Sequence, residues 1–233
     1  MMKLIRLEWK KNNVLKYIRN AVITTAVIAI LIVMMAGELV RSADEIDAEY
    51  LYGKGILGTT VELFVHMVYI VFTGIMLASF IVSAYAKKTM HLMFSYPINR
   101  KKILLSQMAA VWIFNFLAMI VSKLSIYMIL VLTSSFTEIS TVDISFGELS
   151  FWLDILLGSA VMVSISYIAL PIGVQLKSSK ATIIASVIIV CLTQGNVGSV
   201  RLVNNIPFIV ILFVISVLSV YLSVYNVETK DLS

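Results

Sequence analysis

Long apolar runs alternate with short polar segments along the whole chain. The runs cover residues 21–37, 61–86, 103–132, 151–170, 181–192 and 206–224. A helix of about 20 apolar residues is long enough to cross the hydrocarbon core of a bilayer, which is roughly 30 Å thick. The pattern therefore predicts an all-α, polytopic membrane protein, with six transmembrane helices in a single domain over residues 1–233.

The sequence of the fifth run is compatible with more than one structure. Residues 181–192 are too few for a straight crossing, and the polar segment TQGNVGSVRLVNN (193–205) follows them. One interpretation is a spanning helix over residues 181–203 that continues through the weakly polar stretch. The alternatives are a pair of broken helices or a re-entrant segment.

Lys and Arg residues are distributed unevenly among the polar segments. Fourteen of the eighteen lie in the N-terminal segment, the loops 87–102 and 177–180, and the C-terminal tail. The segments after the first and third runs are acidic instead. Because cytoplasmic loops carry an excess of Lys and Arg, the asymmetry predicts a cell-membrane protein with both termini in the cytoplasm.

The composition excludes a water-soluble globular protein. Hydrophobic residues make up 60% and charged residues 13% of the chain, against about 45–50% and about 25% in soluble domains. The net charge of +5 is carried by residues next to the apolar runs. This placement favours contact with anionic lipid and predicts no nucleic-acid partner.

The first twenty residues predict an amphipathic helix that lies at the membrane surface. Apolar Leu4, Leu7, Leu15 and Ile18 recur at helical spacing, and Lys or Arg residues occupy much of the remaining circumference. Such a helix buries its apolar face among the lipid headgroups. A basic segment that only fixes the topology is the alternative.

The basic loop KKTMHLMFSYPINRKK (87–102) combines cations with an apolar cluster. An exposed cluster of this kind indicates a surface that binds a partner, although simple anchoring of the aromatic residues at the interface is the alternative. Proline disfavours helical geometry in the residue before it, so a short helix is predicted to end there. The candidate docking residues are Met90, Leu92, Met93, Phe94, Tyr96, Pro97 and Arg100.

The segment SYPINRKKILLSQ (95–107) resembles the short cytoplasmic motif of ABC-2-type transporter permeases, in which an aromatic residue, a proline and an arginine precede an apolar helix. The order of elements resembles that family over nearly the whole chain. The segment TQGNVGSV (193–200) matches the family only by location and polarity, and the short outer loops imply a compact member. The resemblance implies a cytoplasmic coupling helix between spans two and three that docks on a separate ATPase subunit. It also implies a second permease subunit, identical or related.

The chain carries no motif for its own ATP hydrolysis. A phosphate-binding loop of the form GxxxxGK[ST] is missing from the sequence, and this loop is what cradles nucleotide phosphates in many ATPases. His66 and His91 are predicted on opposite membrane sides, which excludes a paired-histidine metal site. The chain is therefore predicted not to be an enzyme and to have no cofactor of its own, with ATP and Mg on the partner.

Two of the polar residues in the third run are candidates for a functional role. Lys123 lies roughly 30 Å along a helix that starts at Ile103, near the outer interface, where its ammonium group is expected to reach water. Asn115 lies nearer the middle of the membrane. A role for both in lining a translocation pathway is the alternative interpretation.

These features favour a permease subunit of an ATP-driven ABC exporter that forms the pathway as a dimer. Amphipathic peptides, toxins or drug-like compounds are the expected cargo, as in exporters of bacteriocins or phenol-soluble modulins. A non-transport scaffold that anchors a cytosolic partner is the alternative. A secondary transporter is disfavoured because no acidic residue lies at the middle of an apolar run to couple protons.

Overall fold

The structure, a computed structural model, describes residues 2–43, 55–86, 100–134, 147–197, 200–201 and 205–229. Within these ranges the chain is helical apart from one pair of two-residue strands, which confirms the predicted all-α class. The helices are α1 Met2–Lys11, α2 Val14–Ala43, α3 Gly55–Leu77, α4 Ser83–Ala86, α5 Arg100–Ser134, α6 Leu149–Ile165, α7 Ala169–Gln175, α8 Ser179–Gln194 and α9 Ile206–Thr229. The strands are β1 Asn196–Val197 and β2 Val200–Arg201.

Five helical segments are long and apolar enough to cross a membrane by length and composition. They are Val14–Ala36, Leu57–Val82, Lys101–Ser134, Leu149–Gln175 and Ile206–Tyr225. Helix α8 is apolar but shorter, with 16 residues. This organisation is that of a multi-pass membrane protein, as predicted.

The segment after α8 is not a continuation of that helix. Gly195 adopts an extended conformation, and a Cβ atom there would lie 2.5 Å from the Cys191 carbonyl oxygen. Asn196 then pairs with Arg201, and Val197 with Val200, in an antiparallel register. The helix therefore ends at Gln194 rather than continuing to residue 203, and the paired strands β1 and β2 form a small hairpin after it.

The N-terminal helix is shorter than the predicted residues 1–20. It ends at Lys11, and Asn13 has a positive φ of 50°, a conformation that asparagine tolerates better than most residues. Leu15 and Ile18 consequently belong to α2, and both are exposed. The spacing of the apolar residues correctly predicted helical structure, but it did not predict the break at Asn13.

The fourth span is continuous through Pro171, which directly follows the apolar run 151–170. A 3-10 turn, Ser166–Ile168, links α6 to α7 just before the proline. Proline lacks the N–H that would bond to the carbonyl four residues earlier, at Tyr167, and a local tightening there accommodates it. The second span, Leu57–Val82, has a comparable irregularity, a π-helical segment at Ala78–Val82.

The turn between α7 and α8 is closed by backbone hydrogen bonds. Lys177 adopts the left-handed conformation at φ 48°, and the Ser178 N–H donates to the Gly173 carbonyl at 3.1 Å. This is the bonding pattern with which many helices end. The Ser178 hydroxyl then accepts a hydrogen bond from the Ala181 N–H at 3.4 Å and caps α8.

The residues form two compact units. The first comprises Met1–Val14, Met67–Phe116 and Ala160–Ser233, and the second comprises Leu15–His66 and Leu117–Ser159. In the first unit, small residues allow the helices to pack closely. A Cβ atom at Gly173 would overlap the Thr182 hydroxyl, and one at Gly74 would meet the Ser186 Cβ at 2.5 Å. The core of the second unit includes Ile32, Val61, Ile126, Leu130 and Ile155.

Candidate functional site

The predicted docking residues lie almost entirely outside the described residues. Met90, Leu92, Met93, Phe94, Tyr96 and Pro97 fall within residues 87–99, and Arg100 is the first residue of α5. The coupling helix therefore stays a prediction. What the structure does describe is the helix that this loop leads into, and the way in which that helix is held.

Helix α1 packs on the first turns of α5 through two polar contacts. The Trp9 indole Nε1 donates a hydrogen bond of 3.0 Å to the Ala110 carbonyl oxygen. The Gln107 Nε2 donates to the Glu8 Oε1 at 3.4 Å. Gln107 is the last residue of the segment SYPINRKKILLSQ, so the helix that this segment begins is joined to the N-terminus.

The Glu8 carboxylate is buried and held on several sides. The Lys11 Nζ lies 3.8 Å from its Oε2 atom, and the Asn12 side-chain amide donates to that atom at 3.4 Å. The same amide donates to the Glu8 carbonyl at 3.0 Å. A buried carboxylate is costly unless it is paired and hydrogen-bonded, so these contacts favour one position of α1 on α5.

Sequence reasoning missed the role of Glu8, although a signal was present. Glu8 is the only acidic residue before Glu38, within a helix whose other charges are all positive. A single carboxylate in that setting adds nothing to binding anionic lipid. An internal partner is the better explanation, and Gln107 supplies it.

Asn115 lies buried inside the first unit. Its Nδ2 donates to the Val111 carbonyl at 2.8 Å and approaches the Met76 Sδ at 3.3 Å, which links α5 to α3. Its Oδ1 accepts no hydrogen bond from any residue that the structure describes. The amide is thus a contact between helices, and its role in a pathway remains a prediction.

Lys123 is fully buried inside the second unit rather than extended to the interface as expected. Its Nζ lies 4.0 Å from the Glu62 Oε1, and a Cβ atom at Gly158 would lie 3.7 Å from it. The cation stays inside because a carboxylate is within reach there. A buried ammonium group needs such a partner, since moving it out of water without one costs several kcal/mol.

Further polar and aromatic residues surround the Glu62–Lys123 pair. The Thr25 and Ser122 hydroxyls are hydrogen-bonded at 2.5 Å, which ties α2 to α5. The Tyr127 and Phe151 rings lie 5.3 Å apart between centroids. Glu62 and Asp154 both lie close enough to Tyr127 to interact with it electrostatically. Within the described ranges, no group of three or more His, Cys, Asp or Glu residues is placed to hold a metal.

Asn115 and Lys123 belong to different compact units, although both are on α5. The structure therefore describes two separate polar environments for the two candidate lining residues. Glu62 lies near the start of the second run, and its side chain keeps 20% of its surface exposed while facing Lys123. The sequence did contain a signal for this pair, because Glu62 and Lys123 are opposite charges that lie inside two different apolar runs.

Comparison with known proteins identifies one relative over the full length of the chain. The chain is 27% identical over 245 residues to YcbO of Bacillus subtilis (strain 168), described as an uncharacterized protein. The match covers 99% of this chain and 100% of that protein. No family model and no solved structure matches the chain. The similarity therefore extends across all the spans, but the description of this relative names no activity.

Proposed function

We propose that the chain is a permease subunit of an ATP-driven ABC exporter, coupled to separate ATPase subunits. The observation that carries this proposal is the packing of α1 on α5 by the Trp9–Ala110 and Gln107–Glu8 contacts. These contacts fix the N-terminal helix to the helix that follows the basic loop. A loop that served only to fix the topology would not require α1 to be held on the helix that follows it.

The expected transmission is mechanical. Residues 87–99 lead directly into α5, which is 35 residues long and spans about 52 Å at 1.5 Å per residue. A partner that pushes on the loop when it binds ATP would tilt this helix, and α1 would move with it. Rigid-body movement of packed helices is a common form of conformational switching.

The proposed topology has six crossings with both termini in the cytoplasm of the cell. Five segments have the necessary length, and the sixth crossing combines α8 with the hairpin. The 16 residues of α8 extend about 24 Å, somewhat less than the hydrocarbon core of roughly 30 Å. The paired strands β1 and β2 would complete this crossing near the outer surface.

Two permease subunits, identical or related, would form the pathway, and amphipathic peptides, toxins or drug-like compounds are the proposed cargo. ATP and Mg would bind to the partner ATPases. Asn115 and Lys123 are the proposed lining residues, from the polar environments that the structure describes in each unit. Lys123 would meet an anionic group of the cargo if Glu62 released it.

The test is to purify the tagged, full-length chain from its native membrane and identify the proteins that accompany it. An ATPase with a phosphate-binding loop is expected in the complex. In vesicles, that complex is expected to hydrolyse ATP and to accumulate a labelled amphipathic peptide only when ATP is present. A complex that hydrolyses ATP without moving any cargo, or that holds a cytosolic partner other than an ATPase, would favour the scaffold. Absence of an ATPase would contradict the exporter.

A further inference from the structure

An apolar groove lies in the first unit between α5, the α6–α7 segment and α9. Its volume is about 540 Å³, within the range of about 300–1,000 Å³ typical of ligand pockets. Leu105, Phe213 and Val217 line it and are partly exposed, so the groove is open at the protein surface. All its walls belong to segments apolar enough to cross a membrane.

The N–H and O–H groups of the polar side chains in the walls already donate hydrogen bonds inside the protein. The Trp112 indole donates to the Ser164 Oγ at 3.2 Å, and the Tyr167 hydroxyl donates to the Met108 carbonyl at 2.7 Å. Ser164 and Ser216 donate to carbonyls of their own helices, at 2.7 Å each. An occupant therefore finds no free N–H or O–H donor among these four side chains, and the other residues of the walls are apolar.

This saturation distinguishes between possible occupants. An extended peptide would bring backbone N–H and C=O groups that need partners in an apolar medium, at a cost of several kcal/mol for each unpaired group. A hydrocarbon chain has no such requirement. The walls therefore favour a lipid acyl chain over a polypeptide segment.

The charge at one end of the groove identifies the class of lipid. On α5, Lys101 lies four and seven positions before Leu105 and Met108, and these spacings place all three on one helix face. Lys102 stands beside it and is exposed. The apolar face of α5 that lines the groove thus ends in cations, which attract anionic headgroups.

We propose that the groove binds one acyl chain of an anionic phospholipid, with the lipid phosphate beside Lys101 and Lys102. The apolar walls supply affinity for the chain, and the lysines supply selectivity for the headgroup. This site does not depend on transport or on an ATPase. It would be present in the chain even if the proposed function were wrong.

The test uses full-length protein in liposomes that contain phosphatidylglycerol with a photoactivatable diazirine in its acyl chain. After illumination, labelled peptides are expected to concentrate at residues 105–113 and 213–220. Labelling there should exceed that of the exposed α2 surface around Val22 and Val27 at least threefold. Uniform labelling of all the exposed helix surfaces would overturn the proposal.

A matched pair of variants on α9 tests occupancy of the groove. Val217 lines the groove and Val214 does not, while their exposed fractions are nearly equal at 54% and 51%. Val217→Trp is expected to reduce groove labelling severalfold, and Val214→Trp to leave it unchanged. Ala109→Leu narrows the groove from the α5 side and serves if Val217→Trp does not fold. Equal labelling in all the folded variants would overturn the assignment.

The lysines are tested separately by changing the headgroup. Lys101→Gln with Lys102→Gln is expected to reduce groove labelling by phosphatidylglycerol to the level obtained with the matching phosphatidylcholine probe. If the two probes label the wild-type groove equally, the headgroup assignment is wrong. If the groove is protected from both probes in a dimer but not in a monomer, a second copy of the chain covers it and the lipid proposal fails.

Discussion

Replacing both Phe94 and Tyr96 with alanine is expected to uncouple the chain from its ATPase. Aromatic anchors at the centre of an interface often contribute about 2 kcal/mol or more each when truncated, and about 1.4 kcal/mol corresponds to a factor of ten. The double variant should therefore bind the ATPase at least tenfold more weakly. Binding would be measured with purified components in lipid nanodiscs, and cargo-stimulated hydrolysis should disappear with it.

The matched control for this variant is Phe136→Ala. Phe136 is also a phenylalanine in a polar segment, but the charge pattern predicts that this segment lies on the outer side. ATPase binding should be unchanged in this control. If Phe94→Ala/Tyr96→Ala supports hydrolysis and transport at the wild-type rate, the assignment of the docking surface is wrong.

The second large effect is expected from Glu62→Gln. This change leaves Lys123 fully buried without the Glu62 carboxylate, which lies 4.0 Å away in the wild type. Removing one partner of a buried ion pair typically costs about 3–5 kcal/mol. Because the Glu62 side chain is 20% exposed, the loss of stability should lie at the lower end of this range, at about 3 kcal/mol. Loss of the native size-exclusion peak after heating in detergent would measure it.

Two further variants separate the ion pair from a general effect of losing a carboxylate. Glu148→Gln removes an exposed carboxylate at the start of α6 and should change stability by no more than about 0.5 kcal/mol. The double variant Glu62→Gln/Lys123→Met removes both charges and should recover most of the lost stability. Equal thermal stability of Glu62→Gln and Glu148→Gln would contradict the structural role of the pair.

The same double variant tests whether Lys123 lines a pathway. If Lys123 only holds the second unit together, transport should recover along with stability. If it also meets the cargo, transport of an anionic peptide should remain low in a protein of normal stability, while transport of a cationic peptide recovers. The two roles therefore give different results in one preparation.

The apolar runs predicted most of the helices because a membrane leaves the backbone few alternatives. Each backbone N–H and C=O must be bonded within the protein, so a long run such as 103–132 is expected to be helical. The structure extends this helix to Arg100–Ser134. The break at Asn13 was less predictable, since it depends on the conformation of one residue within a stretch whose apolar spacing suits a helix. The break at Gly195 lies in the polar segment 193–205, where broken helices were one of the alternatives left open.

The contacts between helices were not predictable from single runs. Lys123 was expected near water because it lies roughly 30 Å along a helix that starts at Ile103, yet Glu62 lies beside it from another helix. Gln107 likewise appeared to be an ordinary polar residue near the start of an apolar run, and its partner is almost a hundred positions earlier. Periodicity and charge counts report the local environment of a residue, whereas these pairs are set by packing.

The most direct test of the central claim is cross-linking from the basic loop in living cells. A photoactivatable benzoylphenylalanine would replace Phe94 in one variant and Phe136 in another. Illumination is expected to join the Phe94 variant to an ATPase subunit, identified by mass spectrometry, and to give no such product from the Phe136 variant. No ATPase adduct at position 94, or equal adducts at both positions, would contradict the docking of an ATPase on this loop.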